Sequence, residues 1–130
     1  MINSNAYNFI NVLEATADNS WKRNTLLTNN IANATTPNYK RKDISFNSYL
    51  LAELESTTGT LGQKVAGVDF NALQGYVYTD MSELSYRLDG NNVDIDTENA
   101  ELASNQIVYQ TLIESMNHEF NMLKAALKTT

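Results

Sequence analysis

The sequence predicts a mainly α fold: long N- and C-terminal helices packed as an antiparallel coiled-coil-like pair, with a short β-hairpin and a flexible Gly/Ser/Thr-rich middle segment. Three observations carry that expectation. All 5 glycines fall between Gly59 and Gly90 and the only proline is Pro37, so residues 1–34 and 97–130 contain neither helix breaker. Both end segments repeat apolar residues in alternating steps of three and four. Asp89–Gly90 stands between short runs of alternating residues, which is the pattern of a tight hairpin.

The first helix is expected within residues 1–35. There Ile10, Leu13, Ala17, Ser20, Asn24, Leu27 and Ile31 form a narrow seam, apolar except at Ser20 and Asn24. It stops near Ala34, because Pro37 pushes Thr36 out of the α region. Pro37 and Asn38 then suit the second and third places of a turn that needs positive φ at its third residue, with Tyr39 folding back. Residues 36–96 hold this turn, a stretch around Phe46 and Leu50, a Ser/Thr/Gly-rich part at 56–78 expected to be flexible or weakly β, and the hairpin. The hairpin arms are Leu84–Leu88 and Val93–Ile95. The last helix is expected over 97–130, with Asp96 or Thr97 as its cap and Glu98 and Glu101 near the positive end of its dipole. Its stripe runs through Leu102, Tyr109, Leu112, Met116, Phe120, Leu123 and Leu127, widened by Ile113. Ile10, Leu13, Leu27 and Ile31 should meet Tyr109, Met116, Phe120 and Leu123. The 130 residues fit one structural domain.

Charge and composition exclude several functions. The formal charge of -6 comes from 15 acidic and 9 basic residues, so nucleic acid and anionic membrane surfaces repel the chain. The densest basic cluster, Lys40, Arg41 and Lys42, is followed by Asp43 and reads as a solvated rim. With 0 cysteines, disulfides and thiolate metal sites are impossible. No run approaches the roughly 20 apolar residues that span a membrane. Met1 to Ala15 lacks a basic n-region and carries Asn5, Asn8, Asn11 and Glu14, so it is not read as a secretory signal.

Catalytic groups are scarce. His118 is the only histidine and belongs to the polar side of its helix, where a surface role is the simpler reading. The acids Asp89, Asp94, Asp96, Glu98 and Glu101 do not make an EF-hand loop, since counting from Asp89 puts Gly90 second and Asp94 sixth. A turn plus a helix N-terminus explains them. Gly59, Gly62 and Gly67 lack the Lys-Ser/Thr pair of a phosphate loop. Neither catalytic residues, metal nor cofactor are expected. Asparagine supplies 18 residues, so no single Asn stands out as a polar marker.

The run Asn30–Ile31–Ala32–Asn33 followed by Thr36–Pro37–Asn38–Tyr39 resembles the signature shared by flagellar axial proteins of the rod, hook and hook–filament junction. Asn38 replaces the usual glycine there, a mild change because asparagine tolerates positive φ. Leu88–Asp89–Gly90–Asn91–Asn92–Val93–Asp94–Ile95–Asp96–Thr97–Glu98 resembles an element of the FlgB family of the proximal rod, with Asn92 and Ile95 as differences. Lys42–Asp43–Ile44–Ser45–Phe46, Asn105 and Tyr109–Gln110 agree with the same family, while residues 51–84 are unmatched.

The resemblance implies a torque-transmitting structural subunit in the periplasmic part of the flagellar basal body. It would be exported from the cytoplasm by the flagellar type III apparatus without a cleaved signal, then polymerised helically. Implied partners are copies of itself, other rod subunits, the rod–membrane-ring adaptor, the membrane-ring protein and the export gate. Phe46 and Leu50 match the Phe-x-x-x-hydrophobic form read at that gate, as do Phe9 and Leu13; packing of Phe46 and Leu50 is the plainer alternative. Trp21, at the edge of the first seam, is expected in a subunit contact. Two other readings stay open: a soluble coiled-coil adaptor or export chaperone, and a small hydrolase resting on the acidic hairpin.

Overall fold

The computed structural model describes residues 7–82 and 87–128. Its elements are α1 (Asn8–Ala32), β1 (Lys42–Ser45), α2 (Asn47–Ser56), α3 (Leu61–Ala66), β2 (Tyr76–Thr79) and α4 (Ile95–Leu127). The two long helices contain 25 and 33 residues, or about 37 and 50 Å at 1.5 Å per residue. They pack antiparallel: Asn30 near the end of α1 meets Glu98 at the start of α4, and Ser20 meets Asn105 further along. The mainly α architecture with a terminal helix pair is thus as expected.

The seam is buried unevenly. On α1, Ile10, Ala17, Ser20 and Leu27 are buried, while Leu13, Asn24 and Ile31 are half-buried. On α4 the only buried residues are Glu98 and Asn105, both polar. Leu102, Tyr109, Leu112, Met116 and Leu123 are half-buried. Phe120, expected in the seam, is 48% exposed. The inward series passes through Met116, Glu119 and Leu123, which turns Phe120 to the shoulder of the helix.

The start of α4 lies earlier than expected. Asp94 caps it, accepting from the backbone N–H groups of Asp96 and Thr97, and Asp96 and Glu98 fall in the first turn. Asp96 and Thr97 are therefore inside the helix.

The strand pairing also lies elsewhere. β1 pairs antiparallel with β2, Lys42 opposite Thr79 and Ser45 opposite Tyr76. Leu84, Ser85 and Tyr86 of the expected hairpin lie outside the described residues. Arg87–Asp94 forms a turn and an extended link, and Ile95 already belongs to α4. The Asp89–Gly90 turn exists, but Val93 and Asp94 bond to loops and a cap rather than to a strand.

The middle segment carries more helix than its composition suggests. Thr60 and Gln63 make a capping box that starts α3, overriding the weak propensity of the Ser/Thr/Gly run. Phe46, Val68 and Leu73 form a small buried cluster against Val12, Ala15, Leu50, Leu54 and Phe70. This second core fastens α2 and the segment after α3 to α1.

Gly75 passes close to Asn19 of α1. A Cβ there would lie 2.0 Å from Asn19 Oδ1 and 2.6 Å from Ile44 Cδ1. Gly75→Ala should therefore cost about 1–3 kcal/mol through overpacking. Chemical denaturation measures this; an unchanged midpoint would mean that the strand pair can back away from α1.

Candidate assembly site

The two segments that carry the axial resemblance close on each other. α1 ends with Asn33, whose N–H donates to the carbonyls of Asn29 and Asn30 at 3.1 and 3.2 Å. Thr36–Tyr39 is a turn in which Tyr39 N–H donates to Thr36 O at 3.3 Å and Asn38 has φ 60°. The expected turn is thus present, with asparagine in the left-handed position.

A helix end leaves carbonyls without partners. Asn91, 1% exposed, supplies one: its Nδ2 lies 2.9 Å from Asn33 O, 3.1 Å from Ala34 O and 2.9 Å from Thr36 O. Two amide hydrogens serve three acceptors, so one is shared. Asn91 Oδ1 accepts from Val93 N–H at 2.8 Å. Arg87 also donates to Ala34 O. Main chain adds to the clasp, with Asn38 N–H donating to Asp89 O at 2.8 Å and Asn92 N–H to Tyr39 O at 3.3 Å. Gly90 has φ 75°, and a Cβ on it would reach 2.7 Å from Asn38 Oδ1. Lys40 Nζ donates to Gly90 O at 2.7 Å.

Beneath the clasp is a charged layer. Asn30 is fully buried; its Nδ2 donates to Glu98 Oε2 at 2.9 Å and Lys42 O at 2.8 Å. Its Oδ1 accepts from Lys42 N–H at 2.9 Å and from Tyr39 OH at 3.2 Å. Arg41 donates to the other Glu98 oxygen and, at 3.2 Å, to Asp43. Arg23 bridges Asp43 at 2.9 and 3.1 Å and Glu101 at 2.8 Å. Arg41 and Asp43 are therefore interior links, and the solvated-rim reading is corrected for Arg41, while Lys42 is exposed. Besides each other, their partners Glu98 and Arg23 lie 57 and 20 residues away.

The remaining expected residues fall into three places. Ile31, Ala32, Pro37 and Leu88 flank the clasp, with Pro37 and Leu88 exposed and Ile31 half-buried. Phe46, 4% exposed, and half-buried Leu50 join the second core, and Leu50 N–H donates to Phe46 O at 2.9 Å. Trp21 is 59% exposed and lies against Tyr109 with ring centroids 5.8 Å apart. Together with Asn24, Asn105, Gln106 and Gln110 they line a notch of about 360 Å³. Phe120, Met122 and Leu127 expose further apolar surface along α4. His118 is exposed. Sequence reasoning gave Arg23, Arg41, Asp43 and Asn105 no structural role. Only Ser20, a polar interruption of the first seam, hinted at a buried pair.

No family model matches the chain. It is 46% identical over 103 residues to the flagellar basal body rod protein FlgB of Bacillus subtilis (strain 168), across 78% of this chain and 79% of that protein. It is 39% identical over 108 residues to FlgB of Cereibacter sphaeroides, across 82% and 83%. With FlgB of Borrelia hermsii it shares 32% identity over 116 residues, across 82% and 85%. Clasped helices with apolar groups turned outward, and relatives of this kind, define a structural component of the flagellar rod. The chain belongs to the FlgB family of flagellar basal body rod proteins.

The charged layer sets a pH dependence. Burial pushes the Asp43 carboxyl up, but hydrogen bonds from Arg23, the Ile44 N–H and Arg41 outweigh it and hold it below the ordinary 3.8. Asp80 is lowered mainly by the Ser82 N–H. A depressed folded value means that the unfolded chain binds the proton more readily. Stability from Asp43 is therefore complete above its unfolded value and is lost as pH falls through its folded value. Denaturation midpoints should hold steady from pH 7 to about 5 and drop below about 4, and Asp43→Asn should flatten that acid limb. An unaltered limb in the variant would assign the acid loss to other carboxylates.

Proposed function

We propose that the chain is a subunit of the proximal rod, exported unfolded by the flagellar type III apparatus and polymerised helically to transmit torque. Its neighbours are further copies, other rod subunits and, at the base, the rod–membrane-ring adaptor and the membrane-ring protein. The working place of this assembly is the periplasmic space. Family membership supports the rod; the outward apolar surface of the helix pair supports packing against neighbours. The observation that carries the reading is that Trp21, Phe120, Met122 and Leu127 are 59, 48, 48 and 77% exposed on the two long helices. Surface of that kind marks interaction sites. Trp21 and Tyr109 are the proposed subunit contact, and Asn30, Asn33, Tyr39, Asn91 and Glu98 hold the helix pair in the shape that presents it.

No helix among the described residues is long and apolar enough to cross a membrane. Phe46 and Leu50 are proposed to engage the export gate before folding and to pack afterwards, so the two roles occupy different states of the chain.

Two experiments test this reading. Removal of about 30 residues from either end should abolish rod assembly, scored in purified basal bodies by electron microscopy. Rods of normal length built from such a truncated chain would overturn it. Phe46→Ala should lower secretion more than Leu73→Ala, which empties the same cluster and leaves the export motif intact. Equal secretion of the two variants would assign Phe46 to packing alone.

A further inference from the structure

The inward positions of α4 follow a heptad in two tracks. One track is Leu102, Tyr109, Met116 and Leu123, all half-buried. The other is Glu98, Asn105, Leu112 and Glu119, of which Glu98 and Asn105 are buried. On α1 the facing positions include Leu13, Ser20 and Leu27, again one heptad apart. A seam with this repeat has little apolar preference among registers that differ by seven residues, or about 10 Å along the axis.

Two polar pairs remove the ambiguity. Asn105 Nδ2 donates to Ser20 O at 2.8 Å, and Ser20 Oγ donates to Asn105 Oδ1 at 3.1 Å. Asn105 is 5% exposed and Ser20 7%. One heptad earlier on α4, Glu98 accepts from Asn30. Sliding α4 by seven residues would set Asn105 against Leu13 or Leu27, and Leu27 is 0% exposed. The amide would then be buried without a partner, and Glu98 would leave Asn30 and Arg41 unmatched.

We infer that, within the seam, the Ser20–Asn105 and Asn30–Glu98 pairs act with the clasp as the register key of the helix pair, while the apolar residues supply adhesion without choosing a register. The inference is independent of where the subunit acts. It requires only that the two helices adopt one alignment, which any assembly of identical copies needs.

The full chain has no cysteine, so spin labels placed at Thr28→Cys and Asn117→Cys, both exposed, report the alignment by pulsed electron resonance. The unmodified register should give one distance. Asn105→Leu should add a second population offset by about 10 Å, and Glu98→Gln with Asn105→Leu should enlarge it, with helicity by circular dichroism retained. The thermal midpoint of Ser20→Ala with Asn105→Leu should be no lower than that of the parent, because both partners of the buried pair are then apolar. A single distance in the double variant overturns the inference. Loss of helicity in Asn105→Leu, or in Ser20→Ala with Asn105→Leu, overturns it as well, since the pair would then supply stability and not alignment.

Discussion

The carboxylate of Glu98 is 1% exposed, and it is kept there by two groups that belong to different parts of the chain. Asn30 reaches it from the last turns of α1, and Arg41 reaches it from the strand segment that follows the clasp turn. A charge removed from water is tolerated only with a matched partner and filled hydrogen bonds, and taking one partner away costs about 3–5 kcal/mol. Here the same contacts fix three things at once. They hold the start of α4 against the end of α1, they anchor Lys42 through both its N–H and its carbonyl to Asn30, and they direct Arg41 toward Asp43 and Asp80. The β1–β2 pair hangs from that anchor, and the Phe46 cluster hangs from β1.

Along α4 the helix pair departs from the usual division between inside and outside. Its most buried groups along α4 are an acid and an amide, whereas Trp21, Phe120, Met122 and Leu127 face outward. A small chain buries only about two-thirds of its unfolded surface, and this one spends part of that interior on polar contacts. Polar contacts are directional, so they select one arrangement; their net contribution to stability is about 1 kcal/mol each. Apolar surface left outside is the complementary resource. It adds burial only when something else covers it, which couples the order of the helix pair to the presence of neighbours.

The parts legible in the sequence were those governed by local rules. Pro37 and Asn38 fix the turn because proline restrains the residue before it and asparagine accepts positive φ, and the structure has Asn38 at φ 60°. The long helices were legible because nothing in residues 1–34 or 97–130 breaks them. What escaped depends on groups far apart in the chain. Arg41 is separated from Glu98 by 57 residues and Arg23 from Glu101 by 78, so no spacing rule joins them. The hairpin was placed at Gly90 because Asp-Gly is a hairpin turn in most settings. Here the groups beside it, Asn91 and Asp94, are consumed by the end of α1 and the start of α4, and the strand partner of Lys42–Ser45 comes instead from Tyr76–Thr79. Eighteen asparagines made Asn30, Asn91 and Asn105 look ordinary; burial alone distinguishes them.

The same geometry joins the two distant segments on which the axial resemblance was read. Residues 30–43 and 87–98 each leave polar groups that the other fills: carbonyls at the end of α1 for Asn91, and the Glu98 carboxylate for Asn30 and Arg41. Neither block is a complete structure alone. The stretch between them meets the clasp chiefly through Thr79 and Asp80, whose backbone pairs with Lys42 and Arg41. Residues from Asn47 to Gly75 pack on α1 through apolar side chains, Val65, Val68 and Leu73 among them, and these tolerate volume-conserving exchange. The clasp does not, because each of its amides and charges answers a particular partner. The hydrogen-bond partners of the two blocks meet at one end of the helix pair, where the end of α1 lies against the start of α4, so neither block can be exchanged without the other.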